Sequence, residues 1–414
     1  MKIERHWRSI RSTNYLIFGM VLVGGLLRAE VGETAAYYVA MTGSDQKSCA
    51  QAQAQSTPKR TIQSGLACLH AGDTLYVKAG SYNEGEIVNP PGGTSWSNPV
   101  TIAGFPGETV TLTAPGAPRV FTFAAASSSY IILDNLVLDA TENLFDAVKI
   151  TYSRDASNSS HHIRIQNSEI KNAKTQGILV TQGSTGNEFL NLHVHHNGTS
   201  TSFDHGLYIS GDHNIIRGCD IHDNATFGVH VYEVHHTAAH DNAVVGNRVH
   251  GHSNKNAVGI LLSSGANNLA YNNLSYGNSI GIQVHSAPNA QIYNNTVYGN
   301  RLAMDIQTHS PGIKIQNNIV WQNTRNNIAN QGNSPETIDH NLEGINPGFV
   351  NAANADFQLG AGSPAINAGI RIALVTTDFA GISRQSGGGY DIGAYAYIGN
   401  RLPSPSNSRV MSIK

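Results

Sequence analysis

Seven-residue segments that can be laid over one another recur through the second half of the chain, and they constrain it more than any other feature. They read GCDIHDN from Gly218, GNRVHGH from Gly246, NNLSYGN from Asn272, NNTVYGN from Asn294 and NNIVWQN from Asn317. Their central residues are Ile221, Val249, Ser275, Val297 and Val320; with Val194 beginning the run, the spacings are 27, 28, 26, 22 and 23 residues. Between them runs a second set: GILV from Gly177, GLYI from Gly206, GVHV from Gly228, GILL from Gly259 and GIQV from Gly281. Each repeat therefore holds two or three short strands joined by polar turns, and no helical periodicity competes. One such coil cannot bury its apolar side alone, whereas stacking equivalent strands in parallel does so. The expected fold is all-β: a right-handed parallel β-helix, a single-stranded solenoid. The leucine spacing and Trp-Asp signatures of leucine-rich and propeller repeats are absent.

In such a stack, equivalent residues lie roughly 4.8 Å apart, so ladders can be read from the text. One is Cys219, Asn247, Asn273, Asn295 and Asn318, an inward position at a tight bend where amides bond neighbouring coils and their own copies. The cysteine in that ladder is expected to be a buried free thiol. A second ladder, one residue past each centre, is His195, His222, His250, Tyr276, Tyr298 and Trp321. It is read as an outward stacking ladder with weak carboxylate support, and no metal site is assigned to it.

The ends differ from the middle. Residues 1–28 read as a secretory leader: Lys2, Arg5, Arg8 and Arg11 precede a 13-residue apolar run, Tyr15 to Leu27, too short for the roughly 18 to 20 residues of a bilayer span. Arg28 and Glu30 blur the cleavage site, which could lie as far as about residue 36; an uncleaved anchor is the alternative. The expected location is outside the cytoplasm, with periplasm, cell surface and medium left open. Without the leader the balance is 21 basic to 27 acidic residues, and the absence of a basic stripe argues against a nucleic-acid partner. The mature chain is expected to carry no transmembrane span and to be monomeric. Cys49 and Cys68, 19 residues apart in an exported chain, are expected to form a disulfide. Arg60 to Leu69 suits a short helix plugging the N-terminal end, and Thr74 to Val77 is expected as the first strand. The solenoid with its cap is assigned to 37–345, an irregular C-terminal cap to 346–398, and a disordered tail to 399–414.

YYVAMTGSD, TIQSGL…AGDTLYVKAGSY, the N-N-x-V-Y-x-N coils and the closing GGGYDIGAYAY resemble secreted bacterial right-handed β-helix repeat proteins of the pectate-lyase-like superfamily. The resemblance covers about residues 37–398. It implies the fold and an extended groove for polysaccharide along one face. It leaves activity open, because the superfamily holds lyases, hydrolases, epimerases and noncatalytic members. Lyases of this fold often use calcium held by several Asp with a Lys or Arg base. No Asp-Asp-Gly type cluster is present, so calcium is unsupported and no cofactor is expected.

Taking the coil glycine as zero, positions +1 and +3 face the core and +2 and +4 face out. Position +2 carries Lys149, Leu179, Tyr208, His230, Leu261, Gln283 and Asp305; position +4 carries Thr151, Thr181, Ser210, Tyr232, Ser263, His285 and Gln307. His205, Tyr208, His230, Tyr232 and Lys255 are the catalytic candidates. Lys149, Asp204, Gln283, His285 and Asp305 are the substrate-binding candidates. A Tyr/His pair suits β-elimination or epimerisation of a uronate: one group removes the C5 proton, a phenol protonates the leaving oxygen, and a cation neutralises the carboxylate. The alternatives are a noncatalytic glycan-binding or surface protein, and a hydrolase. Asp204 and Asp305 are four coils apart, about 19 Å, too far for the roughly 5 to 9.5 Å of a glycosidase pair. A hydrolase would need loop acids such as Asp155, Asp212 or Glu233. The histidines of EVHHTAAHD (His235, His236 and His240) lack a spaced partner and are not assigned to a metal.

Overall fold

The computed structural model describes residues 34–233, 239–332, 336–384 and 389–399. The leader, the tail from residue 400, and His235 and His236 lie outside the described residues.

The turns explain the coil. At each bend a residue with positive φ precedes the inward ladder position: Gly218, Gly246, Asn272, Asn294 and Asn317, with φ between 51° and 67°. Glycine and asparagine are the residue types that tolerate this left-handed conformation, which is why the repeats open with G-N or N-N. The second residue of each pair then turns inward. Asn247 Nδ2 donates to Ile216 O and to Asn273 Oδ1, both at 3.0 Å, and the pattern continues to Asn273, Asn295, Asn318 and Asn341. Cys219 begins the series as a buried free thiol, its backbone N–H donating to Asn247 Oδ1 and burial pushing its pKa up to about 12. Two further buried series occupy other bends: Asn187, Asn214, Asn242, Asn268, and Asn197, Asn224, His252, Asn278, Asn300, Asn323.

Among the described residues the chain winds through three parallel sheets of twelve, eleven and ten strands, called here first, second and third in the order each coil meets them. Ile163–Gln166, Glu169–Lys171 and Ile178–Val180 are one coil. Between the sheets runs one continuous apolar core that includes Phe121, Phe123, Phe189 and the inward Ile, Leu and Val of each strand. The fold is the right-handed parallel β-helix expected from the repeats.

The ends add three features. The first sheet begins with Ala36–Val39, which pairs in parallel with Thr74–Val77, so the strand expected to be first is second. The N-terminal cap holds two short helices, α1 (Cys49–Ala52) and α2 (Ile62–Leu66), and Cys49 is bonded to Cys68 with Cα atoms 5.4 Å apart. The C-terminal segment forms an antiparallel pair, Phe349–Asn351 with Asp356–Leu359, and folds back along the flank of the stack. There Phe349, Phe357 and Ala394 cover Tyr276 and Tyr298, and Arg384 Nη2 reaches Asn272 Oδ1 at 3.0 Å. The aromatic half of the second ladder is therefore covered and not exposed as an outward stack.

Candidate functional site

The backbone register places the outward third-sheet ladder as the repeats imply: Lys149, Leu179, Tyr208, His230, Leu261, Gln283 and Asp305 are successive cross-strand partners. His205 pairs with Phe227 and Leu207 with Val229 in one unbroken register across the coil glycine. A Cβ on Gly206 would fall 2.8 Å from Gly228 O and 2.9 Å from Asn224 Nδ2, leaving room for glycine alone. The residue before the glycine lies on the outer face, whereas strict alternation would have sent it inward.

His205 accordingly joins Tyr208, His230 and Tyr232 in a cluster of rings. The His205 ring lies 4.8 Å from Tyr208 and 4.9 Å from His230, and His230 lies 5.3 Å from both tyrosines. Phe227 closes the apolar side, 4.9 Å from His205 and 5.0 Å from His230. A hydrogen-bonded chain runs through the imidazoles. Gln176 Oε1 faces His205 Nδ1 at 2.6 Å and also accepts from the His205 backbone N–H. His205 Nε2 faces His230 Nδ1 at 2.8 Å, and His230 Nε2 faces Ser263 Oγ at 2.7 Å.

The amide oxygen can only accept, which fixes the direction of the chain for neutral rings: His205 Nδ1–H donates to Gln176, His230 Nδ1–H donates to His205, and the Ser263 hydroxyl donates to His230. Burial holds His205 down to about 3 and, with His205 alongside, holds His230 well below its ordinary value. Both imidazoles are therefore neutral at neutral pH. Burial raises the Tyr208 pKa, so that phenol keeps its proton. Two coils before Tyr208, Lys149 is partly buried, and burial and then Arg119 lower its pKa. Arg119 Nε in turn donates to Asp146 Oδ2 at 3.0 Å, and the backbone N–H of Gln176 donates to Asp146 Oδ1.

The other candidates sit apart from this cluster. Asp204 is buried, and its Oδ2 accepts from the backbone N–H of Thr199 and Ser200, which commits it to the loop ahead of His205. Lys255 is exposed on the turn before Val258–Leu262, and only its carbonyl is engaged, by Ser279 and Arg301. Gln283 Nε2 donates to Asp305 Oδ2 at 2.8 Å, and Gln307 and Gln331 hold the same carboxylate. His285 is partly buried two coils beyond Tyr232 along the +4 row. Asp155 caps the short turn Ala156–Asn158, Asp212 accepts from Thr185 and His213, and Glu233 is buried with its carbonyl accepting from Ser264. Gln176, Ser263 and Asp146 belong to the network without having been singled out by sequence. Phe203, 75% exposed, stands two residues before His205 as a ring open to solvent.

The calcium of related lyases does not fit this face. Asp146, Asp204 and Asp305 lie on different coils and each is already held by its own donors, whereas calcium needs several oxygens converging on one point. On the second sheet the expectation of weak carboxylate support is corrected: Glu169 meets His195 at 3.0 Å, Asp223 meets His222 at 2.8 Å and Asp220 meets His250 at 3.1 Å. Among the described residues no helix is long and apolar enough to cross a membrane.

A family model described as "Right handed beta helix region" matches residues 156–258 and 199–342. Among solved structures, the crystal structure of pectate lyase Pel9A is similar over 88% of this chain and 96% of its own, at 16% identity and a TM-score of 0.65. A rhamnogalacturonan lyase is similar over 76% and 90%, at 14% identity and a TM-score of 0.53. No curated protein sequence matches the chain. At these identities the likeness is one of fold.

Proposed function

With the chain having the right-handed parallel β-helix fold of the pectate-lyase-like superfamily, we propose that it acts on a uronate-containing polysaccharide as a lyase or C5-epimerase. The observation that carries this is the ring cluster of His205, Tyr208, His230 and Tyr232 on the outward face of the third sheet, threaded by a hydrogen-bonded chain from Gln176 through His205 and His230 to Ser263.

The residues divide the work as follows. His230 Nε2 is the base. Ser263 can turn its hydroxyl to Val231 O, 3.2 Å away, which frees the Nε2 lone pair for the C5 proton. The imidazolium that forms is stabilised by His205, whose Nε2 accepts from His230 Nδ1–H, while Gln176 fixes the His205 tautomer. An empty-site imidazole with so low a pKa is a weak base. A bound uronate carboxylate beside it favours the protonated form and raises that pKa. The Tyr208 phenol, protonated at neutral pH, hands its proton to the leaving glycosidic oxygen in elimination or returns one to the opposite face of C5 in epimerisation. Lys149, two coils or about 10 Å along the stack, and Arg119, one coil further, suit the carboxylate of a neighbouring sugar, and Phe203 offers a face for ring stacking. Gln283, His285 and Asp305 extend the polar row in the other direction.

The test is incubation of the chain with a panel of polyuronates, following the ultraviolet absorbance of the unsaturated product and, in deuterated water, exchange at C5. Neither signal on any substrate would reject the reading. A noncatalytic glycan-binding protein is the second reading, favoured by the rings' being partnered with one another. It expects saturable binding that survives Tyr208→Phe and His230→Ala with no activity to lose.

A further inference from the structure

On a different face, the second sheet brings four donor groups together. His193 and His195 are alternate residues of one strand, so both point outward. Their register partners are Glu169 on the preceding coil, opposite His193, and His222 on the following coil, opposite His195. A carboxylate oxygen of Glu169 and a ring nitrogen from each of His193 and His195 lie within 4.8 Å of one another. His195 Nε2 is 3.0 Å from Glu169 Oε1, and His193 Nε2 is 2.6 Å from His222 Nε2. All four side chains are partly buried.

We propose that Glu169, His193, His195 and His222 bind one borderline divalent cation of the Zn2+ or Co2+ type. Such an ion takes imidazole nitrogen and carboxylate oxygen at about 2.0 to 2.2 Å in a tetrahedron, so its donors stand roughly 3.3 to 3.6 Å apart. Glu169, His193 and His195 form the nucleus of the site; His222 Nε2 meets His193 Nε2 but falls outside that group of three and turns inward to complete the tetrahedron. Two imidazole nitrogens at 2.6 Å can coexist without an ion only by sharing a proton between them; an ion replaces that proton. The outer partners match a metal site as well. His222 Nδ1 faces Asp223 Oδ2 at 2.8 Å, which fixes the ring tautomer and leaves Nε2 for the ion. Three imidazoles and a single carboxylate select a first-row transition ion or zinc over calcium or magnesium.

In the ion-free chain Glu169 Oε1 also accepts from Lys171 Nζ at 2.8 Å. The ammonium is therefore the group an incoming cation displaces, and this separates a metal site from a merely structural histidine stack. Full-length protein stripped with chelator is titrated with Zn2+ and, for its visible spectrum, with Co2+. The expected result is one equivalent retained through desalting, with a Co2+ spectrum of tetrahedral nitrogen and oxygen ligation. His193→Ala and His195→Ala should each weaken binding roughly tenfold or more, Lys171→Gln should strengthen it, and His213→Ala, in the separate Asp212, His213, His240 group, should change nothing. Binding below one equivalent, or binding unaltered in folded His193→Ala/His195→Ala protein, overturns the proposal. If the double variant does not fold, weaker or unchanged affinity in Lys171→Gln does so.

Discussion

On the third sheet His205 and His230 hand hydrogen bonds from ring to ring and end on an amide oxygen and a hydroxyl, with no carboxylate in contact. On the second sheet Glu169, Asp220 and Asp223 each meet an imidazole. Both faces come from the same register, strand spacing and short repeats, so the backbone cannot account for the difference. What differs is the group one coil away. A neutral partner under burial keeps the first pair uncharged, whereas on the second sheet a carboxylate opposes burial, which still holds His193 down to about 4 and lowers His222. The two faces also end differently. The third-sheet row continues into Gln283 and Asp305, while the second-sheet ladder passes from imidazoles to tyrosines under Phe349 and Phe357. A β-helix can thus carry independent chemistries on adjacent faces, because each outward row contacts its own neighbours and little else.

The largest effect that would break this contrast is catalytic. On a polyuronate that the chain turns over, His230→Ala should lower kcat about 10²- to 10⁴-fold, while His222→Ala leaves it within a few-fold. Equal losses would mean that the faces are not independent. The next effect is on stability. Phe357, fully buried over Tyr276 and Tyr298, should cost about 3 to 5 kcal/mol on truncation to alanine. His250→Ala, on the uncovered half of the same ladder, should cost about 1 kcal/mol or less. Urea unfolding of the two variants measures the difference; similar midpoints would show that the C-terminal cover adds nothing to the ladder beneath it.

How much of this was legible in the sequence follows from what repeats. The outward rows and the asparagine ladder with its Cys219 exception were readable, because identical positions recur at a coil's length and stacking turns recurrence into contact; the disulfide was readable from two cysteines 19 residues apart in a chain read as exported. The edge strand Ala36–Val39 was not, since it meets Thr74–Val77 across 38 residues of nonrepeating cap. The C-terminal cover was hidden for the same reason: Arg384 finds Asn272 across 112 residues with no period to announce it. Gln176 was missed because strict alternation turns the residue before each glycine inward. At Gly206 it is the glycine's absent Cβ that would point at Asn224 and Ile221, and His205 lies on the outer side, where it reaches both Gln176 and His230. The carboxylates of the second sheet come from other ladder positions than the histidines they hold, so reading one column at a time could not pair them.

A third histidine environment sharpens the contrast by acid. His252 is fully buried in a bend where its neighbours are Asn224 and Asn278, and burial lowers its pKa to about 4. His205, at about 3, and His230 share that inability to charge in the folded chain. Once unfolded, each returns to its ordinary value of 6.5. The unfolded state therefore binds more protons below pH 6.5, and the stability these neutral rings confer is present above that pH and lost as pH falls toward 3 to 4. The slope should approach about 1.4 kcal/mol per pH unit for each such histidine. His252→Asn restores the ladder's usual residue, with an amide whose oxygen can accept from Asn224 on the coil before and whose NH2 can donate to Asn278 on the next. It should leave stability at pH 7 within about 1 kcal/mol and flatten the acid limb of a urea-midpoint profile by one histidine's share. If the limb keeps its slope in His252→Asn, the acid sensitivity resides in the third-sheet pair alone, and the bend histidine contributes nothing to it.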